Sequence, residues 1–295
     1  MCDLKNTDLP GLYQAADRAS LDGQTHYLCA TRIRLSLGIV AAGASLWSLN
    51  AWNLDVLASI AALAFLGAAG IELWLLVVKP EQKWYDGRAI AESSKTLAWR
   101  YAVAADPFPL ELPDARAKFL DQLGKLLKDA PSTGISSTES PAVSDAIENL
   151  RSSELETRRT VYLRDRIEDQ RDWYKKKSEL NKKMACRWVC FLVGAEVFGF
   201  LAATGRAFGW YEVDAASLIA ALMGAISAWV GVKQFRSLEC AYVFANHELS
   251  IVHARLSRDM PEEKWASEAA DAEEAISREH TMWRASRTTL GGING

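Results

Sequence analysis

Two acidic residues lie inside long apolar runs of the sequence, where packing alone gives no reason for a charge. Glu196 interrupts the run at residues 188–205, nine residues past Arg187, which is ~13 Å along a helix. Glu72 interrupts the run at residues 56–78. A carboxyl group at such depth in a membrane is costly, and it is a functional candidate for that reason. We therefore predict Glu196 and Glu72 as pore-lining or intramembrane polar residues.

Two roles remain open for these carboxyl groups. If several subunits assemble and the depths of the two residues match, repeated glutamates would form acidic rings that favour cations. Each could instead be protonated, or hydrogen-bonded to a neighbouring helix as a packing contact. Glu72 could also extend toward the membrane surface, because it lies only seven residues before Lys79.

A second group of candidate residues shares one face of the helix predicted at residues 79–101. The residues of this face are Trp84, Arg88, Glu92, Lys95 and Trp99, and the neighbouring Arg100 is added to the group. Arg88 and Glu92 stand at salt-bridge spacing. We predict that this face docks a neighbouring subunit, another cytoplasmic protein or an anionic ligand. The alternative is a solvated face whose charges satisfy one another and whose tryptophans anchor it at the membrane surface.

Motifs of enzymatic chemistry are absent from the sequence. It contains no Walker-type loop, no GxSxG, no HExxH and no CxxC pair. Its four histidines and five cysteines are dispersed, so they form neither a zinc signature nor a disulfide framework. We predict that the protein is not an enzyme and binds no cofactor or metal. A net charge of −3 also argues against nucleic acid as a partner, which would favour a clearly basic surface.

Four apolar runs dominate the rest of the sequence and decide the fold class. Each approaches the ~20 residues that a helix needs to cross ~30 Å of hydrocarbon. A chain of 295 residues is too small to surround four such helices with a soluble shell. We predict an all-α membrane protein with four transmembrane helices in two hairpins and with long cytoplasmic helical extensions. The predicted spans are residues 35–53, 56–78, 188–205 and 215–233.

Positive charges near the span ends set the predicted orientation, because lysine and arginine accumulate on the cytoplasmic side of membranes. They flank the open ends of both hairpins: Arg32, Arg34, Lys79, Lys83, Arg88, Lys182, Lys183, Arg187, Lys233 and Arg236. The turns that join the two spans of each hairpin contain one positively charged residue between them, Arg206. We therefore predict a multi-pass plasma-membrane protein with both termini and the connecting region in the cytoplasm.

Small residues recur along the spans and indicate close helix packing. One series occupies every fourth position of the last span, namely Ala216, Ala220, Gly224 and Ala228. Further positions of this kind are Gly67, Gly70 and Gly199. These residues could pack the four helices of one chain together, or they could pack one subunit against another.

The sequence divides into four consecutive segments. Residues 1–108 are predicted as the first two-span unit, 109–150 as an amphipathic helix and flexible linker, 151–260 as the second two-span unit, and 261–295 as a C-terminal cytoplasmic helix and tail. The two units repeat one plan, in which a polar lead-in precedes a short-looped hairpin and a polar helix follows it.

Helices are predicted outside the spans as well. One covers residues 113–129, with Phe119, Leu120, Leu123, Leu126 and Leu127 on one face. A Ser/Thr/Pro/Gly-rich stretch at 131–141 is predicted to be flexible. A charged helix from about residue 153 is predicted to run unbroken into the third span, and the fourth span to continue as a polar helix. A last helix is predicted from Pro261, a good first-turn residue.

The polar segments next to the hairpins resemble those of the SLATT family. The resemblance is carried by residues 79–108, with Trp84, Gly87, Arg88, Glu92, Lys95, Trp99, Arg100 and Tyr101, and less specifically by residues 162–183. Members are small two-span membrane domains that occur beside nucleotide second-messenger synthases and in other bacterial conflict systems. Two units in tandem are indicated, and together they cover most of the chain outside residues 109–150.

The resemblance implies a function that the residue patterns alone do not. It implies an effector of the bacterial inner membrane that contacts lipid, assembles with copies of itself, and permeabilises the membrane as a pore or by perturbing the bilayer. A cytoplasmic sensor or nucleotide-signalling partner would trigger it, in antiphage defence of the abortive-infection type. The alternative is a non-conducting membrane-anchored scaffold or sensor that docks a cytoplasmic partner.

Overall fold

A computed structural model describes residues 3–51, 54–129 and 134–291 of the chain, and these residues are mostly helical. The helices are α1 Gly11–Ala44, α2 Val56–Val78, α3 Pro80–Ala102, α4 Ala115–Asp129, α5 Asp145–Arg151, α6 Leu155–Tyr162, α7 Asp169–Ala207, α8 Ala215–Lys233, α9 Phe235–Leu256 and α10 Glu262–Gly291. A 3-10 turn at Asn6–Asp8 and an antiparallel pair of two-residue strands, β1 Asn50–Ala51 and β2 Leu54–Asp55, complete the described elements. Residues 131–133 of the predicted flexible stretch, and residues 52–53 of the first predicted span, lie outside the described residues.

The helices pack into two compact units that draw on both halves of the chain. The polar unit comprises Met1–Gln24, Glu81–Ser178 and Cys240–Gly295, and the span unit comprises Thr25–Pro80 and Glu179–Glu239. Apolar segments of the two hairpins therefore pack with each other, and polar segments do likewise. The consecutive division at residues 108, 150 and 260 concerns chain order, and it stays a prediction.

The second helix of each hairpin begins and ends in the same way. Asp55 caps α2 by accepting hydrogen bonds from the backbone N–H groups of Leu57 and Ala58, and Asp214 caps α8 through the N–H of Ser217. Each helix then ends at a left-handed residue, Lys79 at φ 48° and Gln234 at φ 50°. The next helix starts one residue later in both cases. The repeated plan predicted from sequence is thus visible in the backbone, because the helix breaks after the second span of each hairpin.

The first span differs from its prediction at its C-terminal end. The helix α1 ends at Ala44, whereas the sequence predicted a span reaching residue 53. The next residue is Ser45, whose hydroxyl bonds back to the Ala41 carbonyl at 2.8 Å, a contact that weakens and bends helices. The chain then turns through the short strand pair, in which Asn50 is opposite Asp55.

The span unit presents an apolar surface to its surroundings. Four helices are long and apolar enough to cross a membrane, and at most 11% of the most apolar stretch of each is buried within the chain. Large side chains are exposed along them, including Leu63, Phe65, Leu66, Leu73, Val77, Phe198 and Phe200. A surface of this kind is stable in lipid and would aggregate in water. The predicted fold class, an all-α membrane protein with four spans, is confirmed.

The polar unit has a separate hydrophobic core. Tyr101, Phe108 and Phe119 form an aromatic cluster in which Tyr101 and Phe119 stack at 4.7 Å between ring centroids. Trp99, Tyr162 and Trp265 form a second cluster with edge contacts at 5.7 and 5.8 Å. All six rings are almost fully buried.

The structure adds detail to two of the predicted helices. The helix from residue 155 does run without a break to residue 207, but Leu163–Glu168 form a π-helix within it. In α4, Phe119 and Leu123 are buried, whereas Leu120 and Leu127 are 39% and 55% exposed. The five apolar residues of α4 lie within an arc of about 120°, and the exposed leucines stand at the edge of that arc away from the core.

The stacked ring of Phe119 gives a test of this core. We expect Phe119→Ala to lower the free energy of unfolding by about 3–5 kcal/mol, because it removes a fully buried ring and leaves a cavity. Unfolding of the purified protein in detergent would measure the change. The half-exposed Leu110 (44% exposed) provides the control, since Leu110→Ala should cost less than about 1 kcal/mol. Equal costs for the two variants would contradict this packing.

Candidate functional site

Glu196 stands on the exposed surface of α7, within its apolar stretch. Its neighbours Val193, Val197 and Phe200 are 52%, 54% and 69% exposed. Among the described residues, none forms a hydrogen bond or ion pair with Glu196. A charged group facing hydrocarbon costs about 3 kcal/mol. The carboxyl group therefore needs a proton, water or a polar partner from outside the single chain.

Glu72 has a different environment. It forms an ion pair with Arg34 of α1, and the two side chains are 47% and 34% exposed. Ionisable residues in membrane spans are commonly paired in this way. The structure thus gives Glu72 a partner within the span unit, which is the packing role that the sequence left open. Its exposure to a water-filled path stays a prediction. Arg34 was interpreted from sequence only as an orientation signal.

The small residues of the spans divide into two groups. A Cβ added at Gly67 would lie 3.3 Å from Leu37 Cδ1, and one at Gly199 would lie 3.3 Å from Ile219 Cγ2. These two glycines permit close contacts inside the span unit. A Cβ at Gly70 or Gly224 would meet no atom within 4 Å.

The series on α8 lies mostly on its outer surface. Ala216 is half-buried, but Ala220, Gly224 and Ala228 are exposed, as are Ser217, Ser227 and Gly231. Contacts inside the chain therefore do not account for this row. Packing between subunits, the other reading of these residues, stays a prediction.

The predicted docking face of α3 is occupied by other helices of the polar unit. Trp84 is 9% exposed, and its carbonyl accepts a hydrogen bond from Ser20 at 2.9 Å. Arg88 pairs with Glu92 at 2.6 Å and with Asp17 at 3.7 Å. The face is therefore not solvated.

The remaining residues of this face are also engaged within the unit. Trp99 is 2% exposed, Lys95 lies 5.9 Å from the centre of the Tyr13 ring, and Arg100 donates to the Ala270 carbonyl at 2.9 Å. A Cβ at Gly87 would lie 2.9 Å from Ser20 N, so glycine allows α1 and α3 to meet. Docking of an outside partner on this face stays a prediction.

Two arginine–glutamate pairs, which we call the α10 clamp, were missed from the sequence. Arg158 binds Glu262 with both terminal nitrogens at 2.7 Å. Arg166, in the π-helix, binds Glu273 through Nε at 2.8 Å and Nη2 at 2.7 Å. Bidentate pairs of this kind are the strongest and most directional charged contacts in proteins. They fix α10 against the segment at residues 155–168.

Neighbouring contacts complete the attachment of α10. The hydroxyl of Tyr162 donates to Glu273 at 3.0 Å, and the indole N–H of Trp265 donates to the Val103 carbonyl at 2.9 Å. Arg158 also donates to the Val103 carbonyl, at 3.0 Å. Two helices, α6 and α10, therefore bind the same carbonyl group in the loop after α3.

Burial and charge act together on the clamp. The side chains of Arg166 and Glu273 are 1% and 0% exposed. Burial disfavours the charged guanidinium, but the facing carboxylate outweighs this effect and raises the pKa of Arg166. Burial also raises the pKa of Tyr162, with a further contribution from Glu273. A signal in the sequence did exist, because Glu273 falls in the apolar row of α10 between Ala269 and Ile276.

Fold and site together define a class of protein. It is a helical membrane protein whose four spans form one unit. Its polar helices form a second unit, in which arginine–glutamate ion pairs hold α10 in place.

Comparison with known protein families identifies the family to which the chain belongs. Residues 10–159 match the SMODS and SLOG-associating 2TM effector domain 3, and residues 162–283 match the SMODS and SLOG-associating 2TM effector domain 1. The chain belongs to the SLATT family and carries two of its domains in tandem. No curated protein and no solved structure matched the chain. The Arg158–Glu262 pair of the clamp joins residues of the two matched domains.

The buried pair of the clamp gives a second test. We expect Glu273→Gln to lower the free energy of unfolding by about 3 kcal/mol, since it leaves the Arg166 charge buried without a counter-charge. The combined variant Arg166→Met and Glu273→Leu should recover most of this loss, because it removes both charges. The exposed pair Asp121–Lys125 is the control, and Asp121→Asn should cost less than about 1 kcal/mol. A double variant no more stable than Glu273→Gln alone would contradict the argument.

Lys95 gives a test through pH. Burial, with the nearby Arg166 and Arg88, lowers the pKa of Lys95 to about 8, against partial compensation by Glu92 and Glu273. From about pH 8 to 10.5 the unfolded chain therefore binds more protons at this residue, and its contribution to stability rises with pH. Below that window the residue is charged in both states and destabilises the fold.

We therefore expect Lys95→Met to stabilise the protein at pH 7 by on the order of 2 kcal/mol, and to lose this advantage by about pH 10.5. The melting temperatures of the variant and the original protein, compared at both pH values, would measure this. Lys176→Met, at an exposed position, is the matched control and should change the melting temperature little. A pH-independent difference for Lys95→Met would contradict the prediction.

Proposed function

We propose that this protein is a self-assembling effector of the bacterial inner membrane, which forms a pore or perturbs the bilayer when activated. The observation that carries the proposal is the exposed Glu196 on α7, which has no polar partner among the described residues. Assembly would place this carboxyl group at a subunit contact or beside water, where its cost is offset. The outward row of small residues on α8 supports the same proposal, because such rows favour close helix contacts.

Membership of a family of two-span effector domains supports an effector role in bacterial conflict systems. We propose antiphage defence of the abortive-infection type as the setting, without enzymatic activity in this chain. Both termini and the polar unit would lie in the cytoplasm, on the basis of the positive charges that flank the hairpins.

Gating would act through the polar unit. Trp265 of α10 and Arg158 of the α10 clamp both donate to the Val103 carbonyl, directly after the end of α3, and α3 follows the second span after one residue. A cytoplasmic sensor or nucleotide-signalling partner that altered these contacts would have a direct path along the chain to the spans. We propose that such a partner supplies the trigger.

Release of dye or ions from liposomes tests the proposal. The reconstituted protein should release its contents once activated, and Glu196→Gln should lower the preference for cations over anions at least about threefold, since it removes the ionisable group. Glu212→Gln is the matched control, because Glu212 is exposed in the connection between α7 and α8, outside the apolar stretch. Its selectivity should equal that of the original protein. Inserted protein that leaves liposomes intact under every activating condition would refute the proposal.

The second candidate function is a membrane-anchored scaffold or sensor that conducts nothing. The observation that favours it is the size of the polar unit, which has its own core and buried ion pairs. It requires a stable complex with a soluble protein, and a cellular toxicity that Glu196→Gln leaves unchanged. The liposome experiment and the toxicity of this variant separate the two functions.

A further inference from the structure

A groove between α9 and α10 is acidic at its rim and apolar at its base. It has a volume of about 470 Å³ and is lined by Ile251, Val252, Leu256, Ala272 and Ala275 on its floor. Ile251 is 63% exposed. The rim carries Glu248, Glu268, Asp271 and Glu274, and one arginine, Arg255, which pairs with Glu268 at 2.6 Å. A groove of this composition fits a basic amphipathic helix.

Asp271 and Glu274 are the rim residues open to a partner. Both are exposed on α10, and no hydrogen bond or ion pair engages either one within the described part of the chain. They stand three positions apart, on one side of the helix. The buried Glu273 beside them belongs to the α10 clamp.

The polar unit itself carries a helix with the complementary properties. In α4, Phe119 and Leu123 bind the core, while Leu120 and Leu127 remain exposed at 39% and 55%. Gly124 stands between the two exposed leucines, and a Cβ there would meet nothing within 4 Å. The spacing of Leu120, Gly124 and Leu127 is i, i+4 and i+7, which is the pattern of a helix that enters a groove.

Two lysines lie beyond one side of this outer row of α4. Lys128 is exposed, and Lys125 pairs with Asp121 of the same helix, at 3.5 Å with both side chains about 70% exposed. A pair so exposed is worth little and exchanges readily for a better partner. The outer row of α4 is thus apolar, with Lys128 and the Lys125–Asp121 pair along one side, whereas the groove is apolar with a negative border.

We propose that the occupant of the α9–α10 groove is the outer row of α4 from a second copy of this chain. The contact joins two different surfaces, so a pair of copies retains one free groove and one free α4. Such head-to-tail contacts generate closed rings or filaments. The inference rests on the self-assembly proposed above, and it identifies the surfaces that order the subunits.

Charge reversal tests the contact in the full-length protein in nanodiscs. Lys125→Glu with Lys128→Glu, and separately Asp271→Lys with Glu274→Lys, should each weaken assembly at least about tenfold, because like charges then oppose each other. The variant that carries all four changes should recover assembly, since the charges are exchanged. Subunit number against protein concentration, by single-particle mass measurement, gives the readout. Glu111→Lys with Glu139→Lys, at exposed positions, is the control with the same change in net charge as the variant of Asp271 and Glu274.

Each result of the charge-reversal experiment either supports or overturns the contact between α4 and the groove. Recovery in the four-change variant supports the contact. Normal assembly of both two-change variants overturns the contact and leaves the proposed function standing. Loss of assembly without recovery overturns it as well, and indicates that the groove binds another basic partner. A protein that stays monomeric under activating conditions overturns both the contact and the proposed self-assembly.

Discussion

The buried ion pair between Arg166 and Glu273 is the constraint on which the polar unit depends. Neither charge could be sequestered alone, because each would lose several kcal/mol of hydration. The structure therefore holds them together with two hydrogen bonds and adds the Tyr162 hydroxyl as a third contact. This requirement fixes α10 at one rotation and one register against residues 155–168. The aromatic rings of Trp99, Tyr162 and Trp265 pack around that position.

The π-helix at Leu163–Glu168 contributes to the same arrangement. Its wider turn changes the rotation of the helix between Arg158 and Arg166, so that both arginines reach α10. π-turns inside α-helices often occur at functional positions. Here the segment lies next to the boundary between the two matched domains, at residues 159 and 162. The join between the domains is therefore a buried, tightly bonded region of the fold.

Different interactions hold the helices of the span unit together. Lipid does not drive apolar helices together, so close packing and polar contacts must hold them. Inside the chain, Gly67, Gly199 and the Arg34–Glu72 pair supply such contacts. Glu196 and the outer row of α8 lie outside that arrangement. Those exposed features account for the assembly proposed here, and the attached polar unit accounts for its proposed control.

The sequence determined the features that depend on composition over long windows. Four apolar runs predicted four helices, and α2 and α8 have the predicted bounds, because the bilayer thickness sets the length of a span. The residues at 79–108 and 162–183 indicated the family correctly. The sequence also located Glu196 and Glu72 in their runs, since a charge there is rare enough to notice.

Only the tertiary structure decided which side chains meet. Glu72 and Glu196 have the same residue type in similar runs, yet one is paired with Arg34 and the other is exposed. The α3 face looked available for docking, but residues far along the chain cover it. The clamp pairs are 104 and 107 positions apart. Local patterns specify helices through contacts three or four residues away, whereas pairing across such separations depends on how the helices pack.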